Sequence, residues 1–279
     1  MSYITFKTLG AAGDLASQIQ QYASLYAIAK ETGKEIIFPE SSVKLGWGFK
    51  FNKALDIEVK LMPDSFFNNF VDIVPREDVL VDTDMFLLDK DTNYNVAGLL
   101  HVYNYWYEKY KEDILSWNWK NTHQVKAEAL YSKLKLSDKE TVAIHVRRGD
   151  YLSPQHHHFC QLGTDYYGEA LQYFFENINK YQFVIFSNDI EWCKQNLIEE
   201  SEVVTFVEPG EDYTDLVLMS LCNHNIIANS SYSWWAAFKN RNKSKTTICP
   251  TNYVKQYSTV NFINGKYYPV TWKNIDNTK

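Results

Sequence analysis

Residues 141–151, TVAIHVRRGDY, carry the side chains best suited to chemistry. An apolar run ends in two adjacent arginines, Arg147 and Arg148, with His145 before them and Asp150 after. A guanidinium offers a planar fork of donors that can hold two phosphate oxygens at once. When the leaving group of a transfer is a diphosphate, negative charge grows on it. A fixed arginine is then worth more in the transition state than in the ground state. The plain structural alternative is an ion pair of Arg148 with Asp150, or an aspartate that only orients one arginine. Two other stretches could complete an anion site. Ser187-Asn188-Asp189 places a carboxylate where a base or ribose could be read, although it also suits the N-cap of a helix. Asn229-Ser230-Ser231-Tyr232-Ser233 opens a helix that continues with Trp234-Trp235. Free N–H groups at a helix start bind anions. One cap accounts for one serine, and here there are three and an asparagine.

Such loops need strands to hold them. From residue 141 on, strand and helix patterns alternate: strands at 141–146, 182–187, 203–208, 225–229 and 246–250, helices at 165–179, 190–198, 213–221 and 231–240. This alternation implies a doubly wound parallel sheet, whose ligands sit beyond the carboxyl ends of the strands. The three loops all fall there. The first half opens as a β-loop-α-β unit: a strand at 3–8, a loop at Gly10 to Asp14, a helix over 15–32 closed by Gly33, and a strand at EIIFPE. The apolar face of that helix is Leu15, Ile19, Tyr22, Leu25, Tyr26 and Ala29. Residues 40–97 give no clear pattern, and 103–136 read as mainly helical. The polar segment 134–140 places a domain boundary at 136/137, and the tail 265–279 reads as polar and partly loose.

A net charge of −6 argues against nucleic acid as the main partner, which needs a broad basic field. A small anion is still compatible, because a few arginines can set a local field against the global one. The 16% aromatic content, with 20 Tyr and 8 Trp, suits a protein that grips sugars as well as one with an aromatic core. Cys160, Cys193, Cys222 and Cys249 show no paired spacing and read as reduced thiols. The opening MSYITFKTLG lacks the charge and apolar run of a signal peptide, and no run reaches the ~20 residues of a membrane helix. The expectation is a cytoplasmic protein, compatible with peripheral membrane association. His156-His157-His158 near Cys160 invites a metal reading, but adjacent histidines in an extended loop point apart, so no metal is expected. The phosphate-loop, dinucleotide and hydrolase-elbow motifs are absent. Arg148-Gly149-Asp150 spells an adhesion tripeptide, yet it follows a core strand rather than an exposed loop.

Three of these stretches also resemble one family. His145-Val146-Arg147-Arg148-Gly149-Asp150-Tyr151, Phe186-Ser187-Asn188-Asp189-Ile190-Glu191-Trp192, and residues 218–235 (LMSLCNHNIIANSSYSWW) resemble the three motifs of the alpha-1,2-fucosyltransferases, glycosyltransferase family eleven. Cys160, Asp165-Tyr166-Tyr167, Gln18 and Gln21-Tyr22-Ala23 are similar to the family as well. The resemblance is dense over 141–250 and thin before it. It implies a GT-B architecture, two Rossmann-like parallel-sheet domains with a cleft between them: an acceptor-side domain at 1–136 and a GDP-sugar-binding domain at 137–279. It implies GDP-fucose as donor substrate, no cofactor, and a metal-independent, inverting transfer of L-fucose to a galactose-containing glycan. By the same resemblance Arg147 contacts the β-phosphate, His145 and Asp189 lie by the guanosine, and Ser230 and Ser231 approach the diphosphate. Arg148 and Asn229 are expected in the same donor site.

The chain departs from the family in its first half. Gly13-Asp14-Leu15-Ala16-Ser17-Gln18 stands where the family reads GGLGNQ, and Gly98-Leu99-Leu100-His101-Val102 where it tends to read GYFQS. If the family glycines serve a positive φ, Asp14 and Ala16 should be poorly tolerated. An inverting transfer also needs an acceptor for the hydroxyl proton. Asp150, beside the phosphate loop, is the first candidate, with Asp14 and His101 as the others. Two rival readings stay open: a GDP-sugar or glycan-binding protein without catalysis, and a transferase of another GDP-linked deoxyhexose.

Overall fold

The computed structural model describes residues 1–11, 13–76, 83–98, 106–134, 136, 139–208, 210–255 and 267–277. They form two compact units, Met1–Lys120 and Asn121–Lys279. The division falls before the expected 136/137 because the helix Asn121–Lys133 packs on the helix Asp212–Leu221. Among the described residues no helix is long and apolar enough to cross a membrane.

In the first unit β1 (Tyr3–Thr5) leads through a loop to α1 (Leu15–Thr32), then β2 (Glu35–Ile36) and β3 (Phe38–Pro39). After α2 (Phe51–Ala54) come β4 (Leu61–Met62), β5 (Val71–Ile73), β6 (Tyr94–Val96) and α3 (Tyr107–Ser116). The main sheet has the order β2-β1-β6-β5, all parallel, and β3 and β4 form a separate parallel pair. The strand expected at 3–8 stops at Thr5, where the chain turns through Leu9 N–H to Phe6 O and Ala11 N–H to Thr8 O. EIIFPE is likewise divided between the sheet and the pair. Helix α1 is buried nearly all round: Gln18, Gln20, Gln21 and Ser24 lie inside along with the expected apolar face, of which only Tyr26 is half-exposed.

The replaced glycines prove compatible with the backbone. Asp14 has φ −87° and caps α1, its carboxylate accepting from Leu15 N–H at 2.7 Å. Ala16 and Ser17 lie within the helix. The positive φ values among the described residues of the loop fall on glycines the chain keeps, Gly10 at 97° and Gly13 at 122°. Tolerance is therefore met where the sequence suggested strain, because the changed positions are helical or capping ones.

The second unit begins with α4 (Asn121–Lys133). It continues β7 (Glu140–Val146), α5 (Thr164–Asn177), β8 (Tyr181–Ser187), α6 (Ile190–Asn196), β9 (Val204–Phe206), α7 (Asp212–Leu221), β10 (His224–Ile226), α8 (Ser231–Lys239), β11 (Thr247–Pro250) and β12 (Lys273–Ile275). All six strands are parallel, in the order β12-β11-β10-β7-β8-β9. The expected alternation is present with ends shifted by one to three residues. The tail differs: β12 is ordered as a sixth strand on β11, held by buried Trp272 and Ile275 and by Thr251 N–H to Ile275 O at 2.9 Å. Val142, Ile144 and Val146 of β7 and Phe183 and Ile185 of β8 pack on Tyr166, Tyr167, Ala170 and Phe174 of α5. Each Val, Ile or Phe among them contributes about 1.5–3 kcal/mol by leaving water.

The chain runs outward from β7 to β8 and β9, then returns to β10 and runs outward the other way. The topological switch thus lies between β7 and β10, where open sheets leave a crevice at the carboxyl edge. Register puts Val146 opposite Ser187 and Ile144 opposite Ile226. The loops carrying the two arginines, Asp189 and Ser230 therefore share that edge.

Candidate active site

Beyond β7 the two arginines part. Arg147 forms a two-pronged pair with Asp150: Nη2 donates to Oδ2 at 2.9 Å, and Nε lies 2.9 Å from Oδ1. Its guanidinium lies 5.6 Å from the Tyr151 ring. Arg148 turns toward β8. Its backbone N–H donates to Asn188 Oδ1 at 2.9 Å and its Nε to Asp189 Oδ2 at 3.2 Å, with the guanidinium 3.9 Å over Trp192. The sequence suggestion that Asp150 ties Arg148 is thereby corrected: Asp150 holds Arg147. The reason is the short 3-10 turn Gly149–Leu152, which brings residue 150 back under residue 147.

Asp189 serves the cap the sequence allowed, its Oδ1 accepting from Trp192 N–H at 3.2 Å, and it pairs with Arg148 through the other oxygen. Gly149 has no room for a side chain, since a Cβ there would fall 2.2 Å from Asn188 Nδ2. The β7 and β8 loops are thus locked through Asn188, Asp189, Arg148 and Gly149.

Across the switch point, Ser230 caps α8, its Oγ accepting from Tyr232 N–H at 3.3 Å. Ser231 opens the helix, half-buried, and its backbone N–H donates to the Tyr253 hydroxyl. Asn229 is buried, and both its amide donors go to carbonyls, Cys160 O and Tyr253 O, at 2.8 Å each. Its own carbonyl accepts from Tyr151 Oη at 3.0 Å. Asn229 is therefore a brace joining the loops, where the sequence suggested a direct ligand. Arg147 belongs to this side, because its charge acts on Tyr151, Tyr232 and Tyr253.

His145 lies beneath, with its ring 5.5 Å from the Tyr232 ring and its buried Nδ1 without a partner among the described residues. Burial first, then the charge of Arg147, hold its imidazole down at about 3, so it is neutral at physiological pH. The three histidines next to Phe159 hold their loop: His156 Nδ1 lies 3.0 Å from Asp150 O, and His157 Nδ1 2.7 Å from Pro154 O. Among the described residues no cluster is arranged to bind a metal. Of the other candidate bases, Asp14 pairs with Lys50 in the first unit, and His101 lies outside the described residues.

One acid escaped the sequence reading. Asp215, in the first turn of α7, accepts from Gly210 N–H at 3.3 Å. Its carboxyl is pushed up to about 6, mainly by burial, with Asp212 and Glu211 adding to the shift against the Gly210 hydrogen bond. Its field reaches Tyr232, the ring beside His145. An aspartate early in a helix reads as an ordinary dipole partner. The available signal was three acids crowded just beyond a parallel strand.

A sequence model of Glycosyl transferase family 11 matches residues 2–276. An Escherichia coli protein named alpha-1,2-colitosyltransferase is 37% identical over 123 residues, 42% of each chain. Human galactoside alpha-(1,2)-fucosyltransferase 1 is 36% identical over 102 residues, 35% of this chain and 28% of its own. The matched stretch thus spans less than half the length of these curated relatives. The crystal structure of the Bradyrhizobium NodZ alpha-1,6-fucosyltransferase soaked with GDP-fucose aligns with a TM-score of 0.54. That alignment covers 85% of this chain and 92% of the other, at 14% identity, a likeness of fold. The α/β, GT-B-like architecture expected from the sequence is the one found.

Proposed function

The chain belongs to glycosyl transferase family 11, and from that premise we propose a metal-independent, inverting transfer of L-fucose from GDP-fucose to a hydroxyl of a galactose-containing glycan. The observation supporting it is that Arg147 and the start of α8 stand at the same carboxyl edge on either side of the β7–β10 switch point, with the charge of Arg147 reaching Tyr232. The diphosphate lies between them, with the Arg147 fork on one side and Ser230, Ser231 and the helix dipole on the other. The acceptor oxygen bonds to the sugar C1 as the C1–O bond to the diphosphate breaks, and the charge that gathers on GDP is met by Arg147. Asp150 aligns Arg147 in the free protein. Once the phosphate takes the fork, Asp150 is freed to receive the acceptor's proton. His145 and Tyr232 border the guanosine, and ionised Asp215 accepts from the N–H groups of the base. Arg148 and Asp189 hold the loop behind.

The test is mass-spectrometric transfer from GDP-fucose to lactose, N-acetyllactosamine and type-one chains. Arg147→Ala should lower turnover by about 10²-fold or more. Near-normal turnover in that variant would remove the clamp. A second reading, transfer of another GDP-linked deoxyhexose, is favoured by the likeness to the alpha-1,2-colitosyltransferase. A panel of GDP-sugars offered with the same acceptors separates the two.

A further inference from the structure

Of the eight tryptophans only Trp47 is exposed, at 60%. It sits at the tip of a Gly-Trp-Gly turn in the first unit, and that turn is rigidly built. Trp47 N–H donates to Gly10 O at 3.0 Å, and Gly48 N–H to Leu45 O at 2.9 Å. Gly46 and Gly48 have φ of 57° and 64°. A Cβ on either would fall 2.7 Å from Ala11 Cα or 2.8 Å from Val43 O. Buried Gln18 fastens the turn to α1: its Nε2 donates to Gly48 O at 2.9 Å, and its Oε1 accepts from Lys50 N–H at 2.7 Å. The turn therefore leans on the loop that follows β1, at the carboxyl end of that strand, the edge where parallel sheets take ligands. Lys50 Nζ lies 5.2 Å from the indole centroid and is paired with Asp14.

An exposed indole on a backbone fixed by glycines and a buried glutamine is a prepared surface rather than a stray side chain. We propose that Trp47 is the stacking platform for a pyranose ring of the acceptor glycan, with Asp14 and Lys50 beside it as partners for the sugar hydroxyls. A pyranose has an apolar C–H face and a hydroxyl rim, and the corner offers a flat apolar ring and a charged edge to match. A protein partner suits it poorly. Such an interface needs about 800 Å² per side, and over residues 40–50 only Leu45 and Trp47 are large exposed apolar side chains. The assignment rests on the transferase reading and adds to it a place for the acceptor. It also gives Asp14, one of the residues that departs from the family pattern, a use of its own.

The test uses the full chain saturated with GDP and labelled with ¹⁵N at the tryptophan indoles. Trp47→Phe identifies the Trp47 signal by its loss. Titration with methyl β-galactoside and with N-acetyllactosamine should move that signal. Trp47→Ala should raise the acceptor KM by about tenfold with the donor KM unchanged, and Trp47→Phe should restore most of the loss. A Trp47 signal that stays fixed at saturating acceptor overturns the proposal, whether or not transfer proceeds. So does a signal that moves only with protein concentration, which marks a second copy of the chain as the occupant. Failure of GDP to bind, with the indole still responding to sugar, would instead overturn the donor site and leave the platform standing.

Discussion

Asp150 and Asp215 are two carboxylates on one sheet edge with opposite circumstances. Asp150 has a guanidinium in its grip, whereas Asp215 has, among the described residues, the Gly210 N–H and a burial cost. The sign of the consequence is fixed by that difference. Because burial raises Asp215 from 3.8 to about 6, its protonated form favours the fold at low pH, and that contribution is lost as pH rises through about 6. A ligand that donates N–H groups to the ionised carboxylate reverses the preference. GDP affinity should therefore rise between pH 5 and 7 by up to about tenfold per unit, with proton release on binding. Calorimetry in buffers of different ionisation heat measures both, and Asp215→Asn should lower the proton release below the wild-type count, leaving only what the terminal phosphate of GDP gives up. An unchanged proton count in that variant would take Asp215 out of the base site.

The β7–β8 connection works as one element, because Gly149, Asn188, Arg148 and Asp189 touch in sequence. Gly149→Ala pushes a methyl into the Asn188 amide and breaks its bond to Arg148 N–H. The expected cost is about 1–3 kcal/mol in urea unfolding, with weaker GDP binding because the Arg147 loop loses its anchor. Equal stability and equal affinity would mean that the amide swings away freely. At this scale the motif letters were informative about strands and turns, since each loop follows an apolar run. They were uninformative about partners. Nothing in RRGD says whether residue 150 pairs with 147 or 148. That follows from the 3-10 turn and from Asp189, brought from 41 residues away, occupying Arg148.

At the scale of the whole molecule, the second sheet is completed by its last strand. Removing residues 271–279 strips β12 from β11 and takes away Trp272 and Ile275. The melting temperature should fall by roughly 5 °C or more, read by circular dichroism. An unchanged melting temperature would make β12 dispensable. The regular alternation of apolar runs and amphipathic helices was enough to determine a parallel α/β second half, because burial on both sheet faces imposes that pattern on the sequence itself. The three loops at the carboxyl edge were legible for the same reason. The sequence alone could not order the strands, and the switch point between β7 and β10 arises only from that order. Tertiary structure alone also decided which polar residues serve as braces. Asn229 and Arg148 look ligand-like in the sequence, yet donors of each are taken up by neighbours distant in the chain, Cys160, Tyr253 and Asp189. Hydrogen bonding is a property of positions in space, and residue type sets only what a side chain is able to do once it is placed.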